Sequence, residues 1–513
     1  MNYKKLGKIL GKIMILEGIL MVFPLLVSLI YQEGATNAIA FLVPIAALIL
    51  LGFLLQIPKP KRNVLYQKEG FALTALVWVV MALFGAIPFV INRDIPNYVD
   101  ACFEIMSGFT TTGASIVDDV TLLSRSTLFW RSFSHWIGGM GILVFVLIFI
   151  PESNDGSSMH LLRAESPGPQ VGKIVSKMKA TTRILYLIYL GLTVLEVIFL
   201  LFDPRPITGY TLKDKFFFSL LTAFGSAGTG GFGFVAGSME LYSPYSQYVI
   251  ASFLLLFGIN FSLYYLILIG KAKEAFRSKE LHAYLLIVVG AILLIFTNLV
   301  TKMSAIYGTE EAFRHSFFQV AALITTTGYS TTDFNLWPMT AVSVLVVLMF
   351  MGGMAGSTAG GMKTSRIMIA LKGAYVNVRK LINPRYVPKV KFEGKTLEEK
   401  TINDVFAFMT LYLFILIAVT FLLSFDAVNG TVAQITSSTG GTYEQTHGFF
   451  TNFSSALSCL SNIGPGFEAV GAYASFSAYN PFSKILLTLT MLIGRLEILP
   501  VLLLFSPKTW KKI

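Results

Sequence analysis

Long apolar stretches of similar length alternate with short polar ones along the whole chain. The apolar stretches run approximately over 13–31, 38–55, 71–91, 128–150, 184–202, 248–269, 281–300, 339–371, 405–423 and 482–504. Nearly all reach the ~20 residues that a helix needs to cross a hydrocarbon core. The pattern predicts ten spanning helices. After the third, fifth, seventh and ninth of them comes a shorter, partly apolar helical segment that is too brief to cross.

Each of these four short segments ends in a polar run closed by a glycine. The runs read Thr110-Thr111-Thr112-Gly113, Gly228-Thr229-Gly230-Gly231, Thr325-Thr326-Thr327-Gly328 and Ser461-Asn462-Ile463-Gly464. Phe103, Phe218, Phe318 and Phe453 precede the runs at similar spacing, as expected if the short helices pack alike. A single Thr-Thr-Thr-Gly is equally a Ser/Thr turn. Four runs at matching places imply a common task. A dehydrated cation needs a ring of oxygen ligands, and backbone carbonyls supply one when the chain is held close to an axis. Irregular backbone survives at membrane depth only where it is buried in protein or lines a watery cavity.

The fold expected from this plan is an all-α integral membrane protein. Two N-terminal helices (1–69) precede four repeats of helix, re-entrant pore helix and helix (70–165, 166–278, 279–395 and 396–513), arranged with pseudo-fourfold symmetry around one pore. Composition agrees: with 54% hydrophobic and 13% charged residues, 513 residues carry too little polar surface for a soluble chain.

Charge adds a direction. Most of the 40 Lys and Arg residues fall in six segments that share one side if the amino terminus is cytoplasmic. The positive-inside bias then puts both termini in the cytoplasm and the four glycine-ended runs outside. The basic residues ahead of the first stretch resemble the start of a signal peptide, but no small-residue cleavage site follows. A net charge of +12 is met by basic cytoplasmic loops and needs no nucleic acid.

Catalytic chemistry has little support. Cys102 and Cys459 sit in the first and fourth short helices and read as packing residues. The five histidines are scattered with no second ligand at metal spacing. A membrane-embedded enzyme would cluster such groups near one interface. An alternating-access transporter more typically shows inverted repeats, whereas these repeats start and end on the same sides.

The eighth stretch carries a second feature, with Gly352, Gly353, Gly356, Gly360 and Gly361 in close succession ahead of Lys363. Each glycine costs a helix about 1 kcal/mol relative to alanine, so the span must break there. Met362 between Gly361 and Lys363 spoils the phosphate-binding loop pattern. The segment is read as a flexible loop below the pore segments, free of regular hydrogen bonding, with Gly356, Gly360 and Gly361 as pivots and Lys363 near the axis. A charge at this depth costs a few kcal/mol unless it faces protein or water. Arg495, similarly placed in the last span, has two readings: it pairs with Glu497 or another carboxylate and ties helices together, or it stands beside the ion path as a barrier. Glu104 likewise either supports the first pore segment by hydrogen bonding or simply solvates its helix. Asp118, Asp119, Asp333 and Glu468 follow the polar runs and either concentrate cations or are merely solvated.

The chain resembles the TrkH-type potassium transporter subunits of the Trk/Ktr/HKT superfamily over essentially its whole length. The matching motifs are Phe103-Glu104, Ser107-Gly108-Phe109-Thr110-Thr111-Thr112-Gly113-Ala114, Ala164-Glu165-Ser166-Pro167-Gly168-Pro169, Thr327-Gly328-Tyr329-Ser330-Thr331, Ala359-Gly360-Gly361-Met362-Lys363-Thr364 and Asn462-Ile463-Gly464-Pro465-Gly466. Two helices ahead of the first repeat favour the TrkH-like branch over the shorter KtrB-like one. The resemblance implies potassium uptake across the bacterial cell membrane, with potassium as transported ligand and no covalently bound cofactor. It also implies a homodimer and a cytoplasmic TrkA-like nucleotide-binding regulatory subunit.

Carried onto this chain, the implied potassium filter comprises Thr111, Thr112 and Gly113; Thr229 and Gly230; Thr326, Thr327 and Gly328; and Asn462, Ile463 and Gly464, acting through backbone oxygens. The second run departs most from the Thr-rich form, and Gly230 is read as its filter glycine. Glycine rather than serine at position 113 favours potassium. The implied gate comprises Gly356, Gly360, Gly361, Lys363 and Arg495. Proton- or sodium-coupled symport by the same fold stays open.

Overall fold

Apolar residues without turn formers can satisfy their backbone in hydrocarbon only as helices, and helices they are. The computed structural model describes residues 1–58, 67–141, 178–204, 211–235, 237–383, 389–436 and 442–510. Among these residues, six helices are long and apolar enough to cross a membrane: Tyr3–Ile30, Ala35–Gln56, Lys68–Ile91, Thr182–Leu201, Lys279–Lys302 and Glu399–Leu423. The first two pack along each other ahead of the four repeats. The other four open the repeats. Three of these keep an apolar, uncovered outer face, as with Phe414, Ile417 and Phe421 on Glu399–Leu423, whereas Lys68–Ile91 is more covered.

A short pore helix follows each opening helix: Tyr98–Phe109, Leu212–Gly228, Thr309–Ile324 and Phe449–Ser461. Their starts are written in the sequence. Asn97 accepts from Val99 N at 2.8 Å, and Thr211 with Asp214 forms a reciprocal capping box. Phe103, Phe218 and Phe318 are buried. Phe453 departs from the expected likeness: it is only half-buried and stacks on Phe449 and Phe450.

The helices that close the second, third and fourth repeats are interrupted, and that of the first ends close to the limit of the described residues. Arg125–Gly139 stops before Gly141, whose φ is 85°. Pro244–Phe257 turns by 90° into Phe261–Leu268. Met339–Phe350 gives way to the glycine-rich loop and resumes as Thr364–Ile382. Pro481–Arg495 ends at Glu497 and Ile498, with φ of 56° and 70°, before Leu499–Phe505. Only the break in the third repeat was expected from the sequence. Strands among the described residues are short pairs, including a parallel bridge of Met351–Gly352 with Met362–Lys363 and an antiparallel hairpin of Val432–Thr436 with Thr442–Thr446. Both cysteines are free; Cys459 is buried and Cys102 partly so.

Candidate functional site: a ring of four glycines

Each pore helix ends by reversing the chain through one residue in the left-handed region. These residues are Thr111, Thr229, Thr326 and Asn462, with φ of 55°, 55°, 56° and 57°. The next residue returns its N–H to a carbonyl inside the helix: Thr112 to Ser107 at 2.8 Å, Gly230 to Gly225 at 2.9 Å, Thr327 to Ala322 at 2.8 Å and Ile463 to Ser458 at 3.0 Å. The third residue is glycine in all four repeats: Gly113, Gly231, Gly328 and Gly464.

These four glycines touch in sequence around a closed circle. A Cβ on Gly113 would lie 2.7 Å from Gly231 N, and one on Gly231 would strike the Thr327 carbonyl and lie 2.9 Å from Gly328 C. A Cβ on Gly328 would strike the Ile463 carbonyl, and one on Gly464 would lie 2.8 Å from Thr112 O and 3.0 Å from Gly113 C. Only glycine lets four backbones come this close. The four also line a cavity of about 120 Å³, whose walls include Ser115, Asp118, Arg131 and Tyr473.

The circle moves one expected residue by one position. Gly230, read from the sequence as the second filter glycine, occupies the place of Thr112, Thr327 and Ile463, and Gly231 is the residue that closes the circle. Three glycines in four residues obscured the register. The left-handed Thr229, matched to Thr111 and Thr326, resolves it.

Electrostatics at the ring suit a cation. The C-terminus of a helix exposes unpaired carbonyls and carries a partial negative charge, and four such ends abut the glycines. The threonine hydroxyls are tied sideways: Thr112 Oγ1 lies 2.8 Å from Thr110 Oγ1 and accepts from Asn462 Nδ2 at 2.9 Å, while Thr327 Oγ1 lies 2.9 Å from Thr325 Oγ1.

Behind the ring, each pore helix carries one fully buried polar side chain at the same distance ahead of its ring glycine: Glu104, Thr222, Gln319 and Ser455. Thr222 Oγ1 lies 2.9 Å from Tyr242 Oη, Gln319 Nε2 donates to Ser330 Oγ at 2.7 Å, and Ser455 Oγ lies 3.0 Å from Tyr479 Oη. Glu104 accepts from Ile116 N at 2.8 Å and from Ser115 Oγ at 3.0 Å, so it holds the chain that follows the first run. It also pairs with Arg131 at 2.6 Å, both side chains being essentially unexposed. Removing one partner of such a buried pair costs about 3–5 kcal/mol.

Under the ring lies the glycine-rich loop. Gly360 N donates to Thr326 Oγ1 at 2.6 Å, and a Cβ on Gly360 would strike the Ser461 carbonyl and lie 3.1 Å from Asn462 Cβ. The loop is not free of hydrogen bonds, contrary to the sequence reading. Besides the parallel bridge, Met354 N donates to Gly258 O at 2.9 Å and Phe261 N to Gly356 O at 3.0 Å. Glu280 accepts from Ala355 N at 2.8 Å and from Ser365 N at 3.1 Å. Glu280 was missed in the sequence, where its only signal is a carboxylate at the start of an apolar stretch. Gly356 and Gly361 take φ of 80° and 67°. Lys363 donates its ammonium to the Ala359 carbonyl of the same loop.

Arg495 is bonded to oxygens of three separate elements. Its guanidinium donates to Thr111 Oγ1 at 3.0 Å, to Thr358 O at 3.2 Å, to Gly139 O at 2.7 Å and to Gly138 O. It therefore joins the first run, the end of Arg125–Gly139 and the loop. Glu497 is drawn elsewhere by its left-handed backbone and pairs with Arg366.

The carboxylates beyond the ring are mostly structural acceptors. Asp119 accepts from Thr121 N at 2.9 Å, Glu468 from Thr451 Oγ1 at 2.7 Å, and Asp333 from Asn335 N at 3.0 Å and from Tyr443 Oη. Burial pushes the Asp333 carboxyl up to about 6. Asp118 accepts from Ser477 Oγ at 2.7 Å and lines the cavity. Among the described residues no cluster of His, Cys, Asp and Glu could hold a metal. The motif at 164–169 and the basic residues within 59–66, 142–177 and 511–513 lie outside the described residues.

Comparison with known proteins gives a consistent result. The family model TrkH, described as "Cation transport protein", matches residues 37–512. The Trk system potassium uptake protein TrkH of Escherichia coli K12 is 33% identical, covering 100% of both chains. Its namesake in Salmonella typhimurium is 32% identical, again over 100% of both. The crystal structure of the potassium transporter TrkH from Vibrio parahaemolyticus superposes with a TM-score of 0.82 at 28% identity over 100% of both chains.

Proposed function

The chain belongs to the TrkH family of cation transport proteins, and from that premise we propose that it takes up potassium across the bacterial plasma membrane through the ring of four glycines. The closed contact circle of Gly113, Gly231, Gly328 and Gly464 carries this reading. In it, backbone oxygens of Thr111, Thr112, Thr229, Gly230, Thr326, Thr327, Asn462 and Ile463 replace the water of a dehydrating potassium ion. The pore-helix ends supply negative potential without a fixed carboxylate, so the ion is held weakly enough to leave. The ring faces outward and both termini lie in the cytoplasm, an orientation supported by the distribution of basic residues.

Gating belongs to the loop. Pivoting at Gly356, Gly360 and Gly361, it closes the path under the ring with Lys363 and Arg495 beside the axis, where positive charge repels a cation in a low-dielectric setting. A TrkA-like nucleotide-binding subunit, docked on the cytoplasmic face of a homodimer, shifts the loop between its positions. The exposed Lys389, Lys391, Lys395 and Lys400 form part of that face. The direct test is growth of a bacterial host stripped of its own potassium uptake systems at low external potassium. This chain restores growth and Gly231→Val does not; equal rescue by a well-expressed Gly231→Val contradicts the reading.

A further inference from the structure

The four polar side chains behind the ring are alike in place but unlike in charge. Three are neutral; the fourth is Glu104, paired with Arg131. We propose that this pair is a clamp that fixes the spacing between the first two quadrants of the ring and thereby sets discrimination between potassium and smaller cations. The proposal rests on the reading of the ring as the filter.

The clamp reaches both return segments at once. Arg131 Nε donates to Glu104 Oε1 at 2.7 Å, and the other Glu104 oxygen accepts from Ile116 N at 2.8 Å, just beyond Gly113. Arg131 Nη2 donates to Ser115 Oγ at 3.2 Å, and Nη1 to Gly233 O at 3.3 Å, just beyond Gly231. The guanidinium lies 4.2 Å from the Phe232 ring centroid. One planar cation therefore grips the chain after both ring glycines, and those glycines touch each other. Other seams are joined by backbone bonds, such as Met239 N to Ser330 O at 2.8 Å and Phe476 N to Ser115 O at 2.9 Å, and by ion pairs away from the ring glycines, such as Lys484 with Asp100 at 2.8 Å.

Two consequences separate the clamp from simple packing. A smaller cation needs its oxygens closer, so a ring held at fixed width resists contracting around it. Arg131 also lines the cavity above the ring, and Glu104 cancels its charge there. Removing Glu104 alone leaves a bare cation at the mouth, whereas removing both charges leaves the mouth neutral but the ring unclamped.

The experiment measures potassium conductance and the potassium-to-sodium permeability ratio, from reversal potentials of the full-length protein in a planar bilayer. Glu104→Gln should lose most potassium conductance. Glu104→Gln combined with Arg131→Met should regain conductance while its permeability ratio falls several-fold. Arg131→Lys, which keeps the charge and loses the fork, should conduct nearly as wild type with a lowered ratio. A wild-type ratio in either the double variant or Arg131→Lys overturns the clamp, and Arg131→Lys decides if the double variant does not assemble. Gly113→Ser is the reference: if it too leaves the ratio unchanged, the filter reading itself fails, whereas a shift in Gly113→Ser alone overturns only the clamp.

Discussion

The glycine ring and the glycine-rich loop lie one under the other, yet glycine serves different ends in them. In the ring, each of the four residues is pressed against the next repeat's backbone, and the backbone return just before it closes on its own pore helix. In the loop, the bonds run outward to other elements: to Gly258 and Phe261 in the second repeat, to Glu280 on the next helix and to Thr326 under the ring. Locally bonded structure keeps its shape while its surroundings shift; structure bonded to several neighbours changes when any of them moves. On the proposed reading, selectivity should rest on the ring and gating on the loop, and mutations should divide along the same line.

The sharpest way to break that division is at the ring. Gly231→Ala adds a Cβ against the Thr327 carbonyl and should cut potassium uptake by roughly 100-fold, the scale of a 1 Å misplacement at a working centre. Gly230→Ala, one residue away, meets first the ring of His135, a side chain rather than a backbone carbonyl, and should be milder. Uptake assays that rank the two in the opposite order would return the register to Gly230.

Loop variants should show the complementary behaviour. Lys363→Ala, or deletion within 356–361, should raise potassium flux without any partner by about ten-fold, equivalent to ~1.4 kcal/mol off the closed barrier, with selectivity unchanged. Equal or lower flux from both well-folded variants would make the loop a packing accommodation. A lesser effect is expected on the cytoplasmic face, where neutralising Lys389, Lys391, Lys395 and Lys400 together should weaken co-purification of the regulatory subunit in a salt-sensitive way. Full retention at every salt concentration would remove this face from the account.

The effect most remote from transport concerns stability outside the ring. Asp333 binds a proton in the folded protein at about 6 because burial disfavours its charge. The unfolded chain releases that proton at lower pH, so the buried charge opposes folding above pH 6, and the opposition fades as pH falls toward 4. Asp333→Asn should therefore gain about 1–3 kcal/mol at pH 7.5 and lose that advantage near pH 4. A thermal-stability gain that is the same at both pH values would show that charge burial is not its cause.

How much of this was legible in the sequence follows from what each feature depends on. The spans and pore segments were readable because hydrophobic length and the Thr/Asn-to-glycine endings are local properties. The 90° bend after Phe257 was not: Phe257-Gly258-Ile259-Asn260 interrupts apolarity too briefly to separate Pro244–Phe257 from Phe261–Leu268. The second register needed a backbone dihedral at Thr229. Arg495 and Glu497 looked like partners because they are close in sequence, but positive φ at Glu497 and Ile498 turns the chain and sends the two side chains to different repeats. Glu104 was identified, but its partner Arg131 is brought to it only by tertiary packing.

The central claim is that Gly113 and Gly231 are equivalent members of one filter. It is tested most directly by the potassium-to-sodium permeability ratio of Gly113→Ser and Gly231→Ser, read as reversal potentials in a planar bilayer under opposed potassium and sodium gradients. Both variants should admit more sodium relative to potassium than the parent protein does. A parental ratio in either variant, with potassium still conducted, would contradict the account.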